Sequence, residues 1–212
     1  MKEIFLILLT VMLCNATAKA QNDPRAEKIL DSFSSNASKA PSVSMDFTMI
    51  TNDLTGNTSD SVTGSVILSK DKYRLILGDN MVWFNGETTW NYLPAEKEVT
   101  ITKPDKKDNS FQNHPSSIFT MYKSGYKCRL TDDKPSAWTV DLYPLDLKSD
   151  LIRVRLNIRK NDMSLISFEY KRRDGIEVLL KISGYDLKQK PSADMFAFPS
   201  GQYKDAEIND MR

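Results

Sequence analysis

Two residues of this chain have the side-chain chemistry of a nucleophile and its base, Cys128 and His114. A thiol beside an imidazole would support acyl transfer through a covalent intermediate. The surrounding residues argue against it. Cys128 lies in Tyr126-Lys127-Cys128-Arg129-Leu130, where period-two alternation puts it on the same face as Tyr126 and Leu130. That is the setting of a buried, inert thiol. His114 sits in a polar stretch that reads as solvated loop. Asp132-Asp133 falls in turn sequence, not in a carboxylate pair across a cleft. The chain has no Gly-x-Ser-x-Gly elbow, no His-Glu-x-x-His and no cysteine pair for a metal. These residues point away from an enzyme and away from a metal site.

The informative residues are apolar. Asn85-Gly86-Glu87-Thr88-Thr89-Trp90-Asn91-Tyr92-Leu93-Pro94 joins a turn to an aromatic strand. Asn-Gly supplies the positive-φ residues of a tight two-residue hairpin turn. Trp90 and Tyr92 are two apart, so on a strand they share a face. Pro94 cannot donate to a ladder, so it ends the strand or lies at an edge. Nine methionines add a polarizable, adaptable lining, with Met45, Met49, Met81 and Met121 in or beside regular elements.

The elements that hold these residues begin with a helix. Asp23 suits its N-cap and Pro24 its first position. Ala26, Ile29, Leu30, Phe33 and Ala37 recur at three and four spacing, and Pro41 ends the region. From Val43 the period changes to two. Val43, Met45, Phe47 and Met49 alternate with polar residues, and a turn follows at Gly56-Asn57. Val62, Gly64, Val66 and Leu68 come next, then Tyr73, Leu75 and Leu77. Further strands read at 80–84, 88–93, 97–103, 126–131, 137–143, 151–160, 163–171 and 175–186. In 152–159 Ile, Val, Leu and Ile alternate with Arg and Asn. Ten or eleven short strands joined by short turns predict a mainly β fold, an incomplete, curved antiparallel barrel. The polar stretch 104–117 interrupts this pattern. Ile118, Phe119, Met121 and Tyr122 then make a short apolar helix before Gly125, the place for a lid.

The first twenty residues read as an export signal. A basic start precedes an apolar run from Ile4 to Leu13, too short to span a bilayer. Ala18-Lys19-Ala20 offers small residues for cleavage before Gln21. Cys14 follows Val11, Met12 and Leu13, not the small residue that lipoprotein processing prefers. A soluble periplasmic chain, residues 21–212 as one domain and a monomer, is expected. Loss of Lys2, Lys19 and Glu3 takes the 29 basic and 28 acidic residues to 27 of each. A balanced surface speaks against nucleic acid and against tight binding to anionic membranes. With Cys14 gone, Cys128 has no partner for an intramolecular disulfide.

Taken in order, several motifs resemble those of the periplasmic outer-membrane lipoprotein carrier proteins, the LolA-like family. The amphipathic helix leads into the strand at Met45-Phe47. Gly64-Ser65-Val66-Ile67-Leu68 followed by Tyr73-Arg74 is similar to the family's glycine, strand, turn, arginine element. Asn85-Gly86 through Trp90-x-Tyr92-x-Pro94 resembles its most recognisable motif. Pro115-Ser116-Ser117-Ile118-Phe119 is similar to its proline-led lid helix, and Leu142-Tyr143-Pro144 to its Leu-x-Pro strand end. Phe196-Ala197-Phe198-Pro199-x-Gly201 resembles its C-terminal signature. The resemblance covers about residues 25–204.

The resemblance implies a carrier that shields lipoprotein acyl chains in an apolar cavity between the inner and outer membranes. Its partners would be the inner-membrane lipoprotein-releasing ABC transporter and an outer-membrane acceptor or the membrane itself. No cofactor is implied. The cavity lining would comprise Met45, Phe47, Met49, Val66, Leu68, Trp90, Tyr92, Ile118, Phe119 and Met121. The family's lid-holding Arg-Pro is replaced here by Lys70-Asp71, with Arg74 at its following arginine. Lysine keeps the charge and loses the planar fork. Three alternatives share this fold: a lipid or lipoprotein sensor, the outer-membrane acceptor, and a carrier of another lipid.

Overall fold

The computed structural model describes residues 22–104 and 113–212; the export signal and most of the polar loop lie outside the described residues. Helix α1 spans Pro24–Lys39 and is followed by twelve strands in one sheet. These are β1 Val43–Asp53, β2 Thr58–Ser69, β3 Lys72–Leu77, β4 Asn80–Phe84, β5 Thr89–Leu93 and β6 Glu98–Thr102. Then come β7 Tyr126–Asp133, β8 Ala137–Pro144, β9 Leu151–Arg159, β10 Leu165–Arg172, β11 Ile176–Asp186 and β12 Glu207–Asp210. Their order is β12-β6-β5-β4-β3-β2-β1-β11-β10-β9-β8-β7. The sheet is open and curved, so the expectation of a mainly β, incomplete barrel holds. Every pairing is antiparallel except β12 with β6.

β12 is a twelfth strand where ten or eleven were expected. Its four residues are all exposed. Non-local parallel pairing with β6, not a hydrophobic period, makes it a strand.

Local chemistry explains the boundaries. The Asp23 carboxylate accepts from the N–H of Arg25 at 2.9 Å and of Ala26 at 3.4 Å, and Pro24 occupies the first turn. The same carboxylate accepts from the Leu130 N–H at 3.1 Å, and the Asp23 N–H donates to the Cys128 carbonyl at 3.1 Å. One residue therefore caps α1 and covers part of the β7 edge. The connection at Asn85-Gly86 differs from the two-residue turn. It runs over 85–88, and Asn85 uses its side chain, accepting from the N–H of Glu87 at 3.0 Å and of Thr88 at 2.9 Å. Gly86 alone takes a positive φ, 101°.

Alternation along the strands sorts the apolar residues to two faces. The concave face packs against α1 and forms the large core, including Val43, Met45, Phe47, Val66, Leu68, Leu75, Val140, Leu142, Val154, Leu156 and Leu180. Gly64 makes room for this packing. A Cβ there would lie 2.6 Å from the Phe47 ring and 2.7 Å from the Ile76 carbonyl oxygen.

Candidate functional site

The concave face of β1–β3 and β7–β11 is an apolar surface closed from above by two separate pieces, α1 and the segment 113–123. That segment comprises two 3-10 turns, Pro115–Phe119 and Met121–Lys123, where the sequence predicted a short helix. Ile118, Phe119 and Tyr122 point into the core, and Phe119 packs on Phe33 of α1 with ring centroids 5.0 Å apart. Polar contacts tie the segment to α1 and to β3. The Tyr122 hydroxyl donates to Asp31 Oδ1 at 2.6 Å, and the Tyr73 hydroxyl donates to the Asn113 carbonyl at 3.2 Å. Burial, together with the Asp31 carboxylate, pushes Tyr122 up to about 12.

Of the expected lining residues, Met45, Phe47, Val66, Leu68, Ile118 and Phe119 are buried in this one cluster, and Met49 and Met121 pack half-buried against it. Their depth differs from that of a free cavity wall. Phe47 is 2% exposed, so it belongs to the core beneath the surface. The half-buried residues Met49, Leu77, Val82, Tyr126, Tyr170 and Tyr185 form the accessible part. Burial raises the pKa of the three tyrosines, so they stay neutral at physiological pH. An apolar wall with uncharged hydroxyls suits hydrocarbon better than an ion.

The structure does not bring Trp90 and Tyr92 to Phe47. Tyr73 pairs with Phe84 and Leu75 with Val82, and these four pack into the large core. Trp83 and Met81 alternate with Phe84 and Val82, so they face the other way. Trp90 pairs with Trp83 and Tyr92 with Met81, which puts both on that outer face. There Trp83, Tyr92 and Val99 form a second cluster with Phe198 and Tyr203 of the C-terminal segment. Tyr92 and Tyr203 have ring centroids 4.5 Å apart. The aromatic motif is a clamp for the C-terminal segment. The Phe198 and Tyr203 side chains, which need an apolar partner, were the signal in the sequence.

The two lid-contact residues are also placed elsewhere. Lys70 is exposed in the β2–β3 turn with φ 56°. Arg74 pairs with Trp83 in the ladder and lies on the outer face, its guanidinium 6.0 Å from the Trp83 ring centroid. Among the described residues no hydrogen bond or ion pair joins either to 113–123.

Cys128 is buried, and desolvation with the nearby Glu27 and Asp31 charges pushes its thiol up to about 11. A thiol held protonated at neutral pH is a poor nucleophile. Sequence reasoning overlooked Asp141, which is 1% exposed on the outer face. Arg155 holds it with two hydrogen bonds, from Nε at 2.7 Å and from Nη2 at 2.8 Å. A depression of about 760 Å³ lies beside this pair, lined by Thr139, Arg155, Asn157, Ser167, Glu169 and Lys181 among others. Its polar groups largely bond one another: Thr139 Oγ1 donates to Asn157 Oδ1 and Asn157 Nδ2 to Ser167 Oγ, each at 2.7 Å. The outer face is polar where the concave face is apolar.

The chain is similar in fold to an uncharacterized conserved protein from Thermus thermophilus, at 15% identity and TM-score 0.57, over 88% of this chain and 99% of that one. It also aligns with a putative outer membrane lipoprotein-sorting protein domain from Vibrio parahaemolyticus, at 12% identity and TM-score 0.47, over 85% and 98% of the two chains. A LolA superfamily protein from Nitrosomonas europaea aligns at 11% identity and TM-score 0.44, over 82% and 97%. No curated protein matches the chain. The sequence profile of the outer membrane lipoprotein carrier protein LolA matches residues 16–182, and the chain belongs to that family.

Proposed function

We propose that this protein is a periplasmic carrier that shields the acyl chains of lipoproteins and ferries them from the inner to the outer membrane. The observation that supports it is the concave apolar face covered by α1 and the 113–123 segment, the latter a separate piece of two 3-10 turns. Each buried methylene of an acyl chain gains about 0.8 kcal/mol, so such a face binds hydrocarbon without any directional group. The cover must move aside, and a short segment of two 3-10 turns that lies outside the sheet can do so. In this reading residues 1–20 direct export and are removed before Gln21. An inner-membrane ABC transporter would load the protein, and an outer-membrane acceptor would receive the cargo. Met49 and Met121 line the path; Met45, Phe47, Val66, Leu68, Ile118 and Phe119 form the wall behind it.

The test is binding of a fluorescent acyl-chain probe. Wild type should bind it, and Met49→Asp should weaken binding at least tenfold with the fold retained, because a half-buried position tolerates the charge better than Phe47 would. No probe binding by wild type would refute the carrier reading.

A further inference from the structure

Seven large apolar side chains are exposed among the described residues, and five of them lie at one end of the sheet: Leu54, Tyr143, Leu145, Leu147 and Ile152. The other two, Ile208 and Met211, belong to the C-terminus. The five come from two hairpins, Leu54 from β1–β2 and the other four from β8–β9. Leu54 is in the β1–β2 turn, and Leu145 and Leu147 are in the β8–β9 loop. The antiparallel register brings these turns together with the β10–β11 turn. The Leu54 N–H donates to the Gly175 carbonyl at 3.1 Å, and the Arg173 N–H to the Asp150 carbonyl at 2.8 Å. Arg173 Nε then donates to the Ser149 carbonyl at 2.8 Å and Nη2 to that of Leu147 at 3.3 Å. The β8–β9 loop is thus braced from beneath, with Leu147 85% and Leu145 65% exposed at its tip. Its first N–H, on Leu145, donates at 2.9 Å to the carbonyl of Gly125, the residue between the 113–123 cover and β7.

We infer that this rim is a docking surface for a phospholipid bilayer with zwitterionic headgroups. The three leucines project from two neighbouring turns, a convex shape that suits a fluid apolar layer. The charges select the headgroup. The rim turns carry Lys148, Arg172 and Arg173 together with Asp53, Asp146, Asp150 and Asp174, with Arg172 paired to Asp174 at 2.7 Å, so the rim has no cationic excess for an anionic surface. Three of these carboxylates are turned into their own loops. Asp53 accepts from the N–H of Thr55 and Gly56, Asp146 from that of Lys148, and Asp174 from that of Ile176. That leaves the leucines outermost. Half-buried Met49, Tyr170 and Ile176 on the concave face lie toward the same strand ends, so a bound membrane would meet the carrier's apolar face at this rim. The inference rests on the lipid-carrier reading for the membrane as occupant.

The test is flotation of the purified protein, as its cell produces it, with phosphatidylcholine vesicles. Wild type should float with the vesicles, and adding phosphatidylglycerol or salt should change its partition less than twofold. Leu145→Ser with Leu147→Ser should lower the partition at least tenfold, whereas Ile208→Ser, also exposed but at the other site, should leave it unchanged. Acyl-probe binding should be the same in both variants and wild type. Probe binding without wild-type flotation would overturn the rim proposal and leave the carrier reading standing. Equal flotation of the double-serine variant, or flotation only with phosphatidylglycerol, would also overturn it. Loss of probe binding by wild type would count against the carrier reading itself.

Discussion

The two faces of the sheet carry two apolar clusters that differ in composition and in purpose. The concave cluster is large and mixed: aliphatic residues with Phe33, Phe47, Phe119 and Phe168 form its core. Half-buried Met49, Met121, Tyr126 and Tyr170 pack against it, and α1 and the 113–123 segment cover it. The outer cluster is aromatic and small, with Trp83 and Tyr92 under Phe198 and Tyr203. Trp83 and Phe198 meet edge to face with centroids 5.5 Å apart, while Phe198 and Tyr203 stack at 5.5 Å. Aromatic rings in such contacts lock one geometry. Half-buried Met49 and Met121 on the concave face have adaptable thioether side chains instead. The outer rings therefore fasten the C-terminal segment, and half-buried methionines and tyrosines make the accessible part of the concave face.

Breaking the outer cluster tests this division most severely. Trp83→Ala should cost about 3–5 kcal/mol in a urea melt. The folded fraction should still bind an acyl probe with wild-type affinity. Phe33→Ala, in contact with Phe119, should cost a similar amount and also alter probe affinity. Equal effects of both variants on the probe would erase the distinction between the faces. Next in size is Gly64→Ala. The added methyl would meet the Phe47 ring and the Ile76 carbonyl of the neighbouring strands, an overpacking that should cost about 1–3 kcal/mol. A neutral result would show that the β1–β2 packing is looser than the 2.6 Å approach implies.

The sequence shows why one cluster was legible and the other was not. The face of α1 with Ile29, Leu30 and Phe33 follows from helical spacing alone, and the concave residues of β1 and β9 follow from strict alternation. Period two says that Trp90 and Tyr92 share a face. It does not say which face, because that depends on their register with Trp83 and Met81 and on a C-terminal segment more than a hundred residues away. β12 is hidden for the same reason. Asp23 was legible as a cap, but its bond to Leu130 depends on tertiary contact.

That double role makes Asp23 the next residue to break. Asp23→Ala should cost about 1–2 kcal/mol, since it removes a cap and frees an edge N–H. Burial alone would raise the Asp23 pKa. The N–H groups of Leu130, Arg25 and Ala26, with the Arg25 charge, outweigh burial and hold it below the usual carboxylate value. A depressed folded-state pKa gives stability that is present above the unfolded-state value and lost as pH falls through the folded one. The stability gap between wild type and Asp23→Ala should therefore narrow as pH drops below about 4. A gap that stays constant in acid would assign the effect to helix packing instead.

A smaller effect is expected at Tyr122. Tyr122→Phe removes the bond to Asp31, and amides of 113–123 should exchange faster by about 1 kcal/mol of local opening. The raised pKa means that this contact is complete below about pH 10 and is lost as pH rises toward about 12. Ultraviolet titration should accordingly show one fewer late-ionising tyrosine in Tyr122→Phe than in wild type. Unchanged exchange would mean that the cover is held without the Tyr122–Asp31 bond.

The smallest effect should be at Lys70. The LolA-like resemblance assigns a lid-holding arginine to this position, and restoring it would then slow exchange of the cover in the empty protein. The geometry argues otherwise. Lys70 is exposed in a tight turn with φ 56°, and the cover is tied instead through Tyr122 to Asp31 and through Asn113 to Tyr73. An arginine fork gains only where carbonyls lie within its reach. Lys70→Arg should leave exchange of 113–123 within twofold of wild type, whereas Tyr73→Phe should speed it near Asn113. Slower exchange in Lys70→Arg would show that the turn and the cover meet in solution. Opening would then be governed from the β2–β3 turn, and the concave face would owe its closure to a charge and not to the ring contact with Phe33.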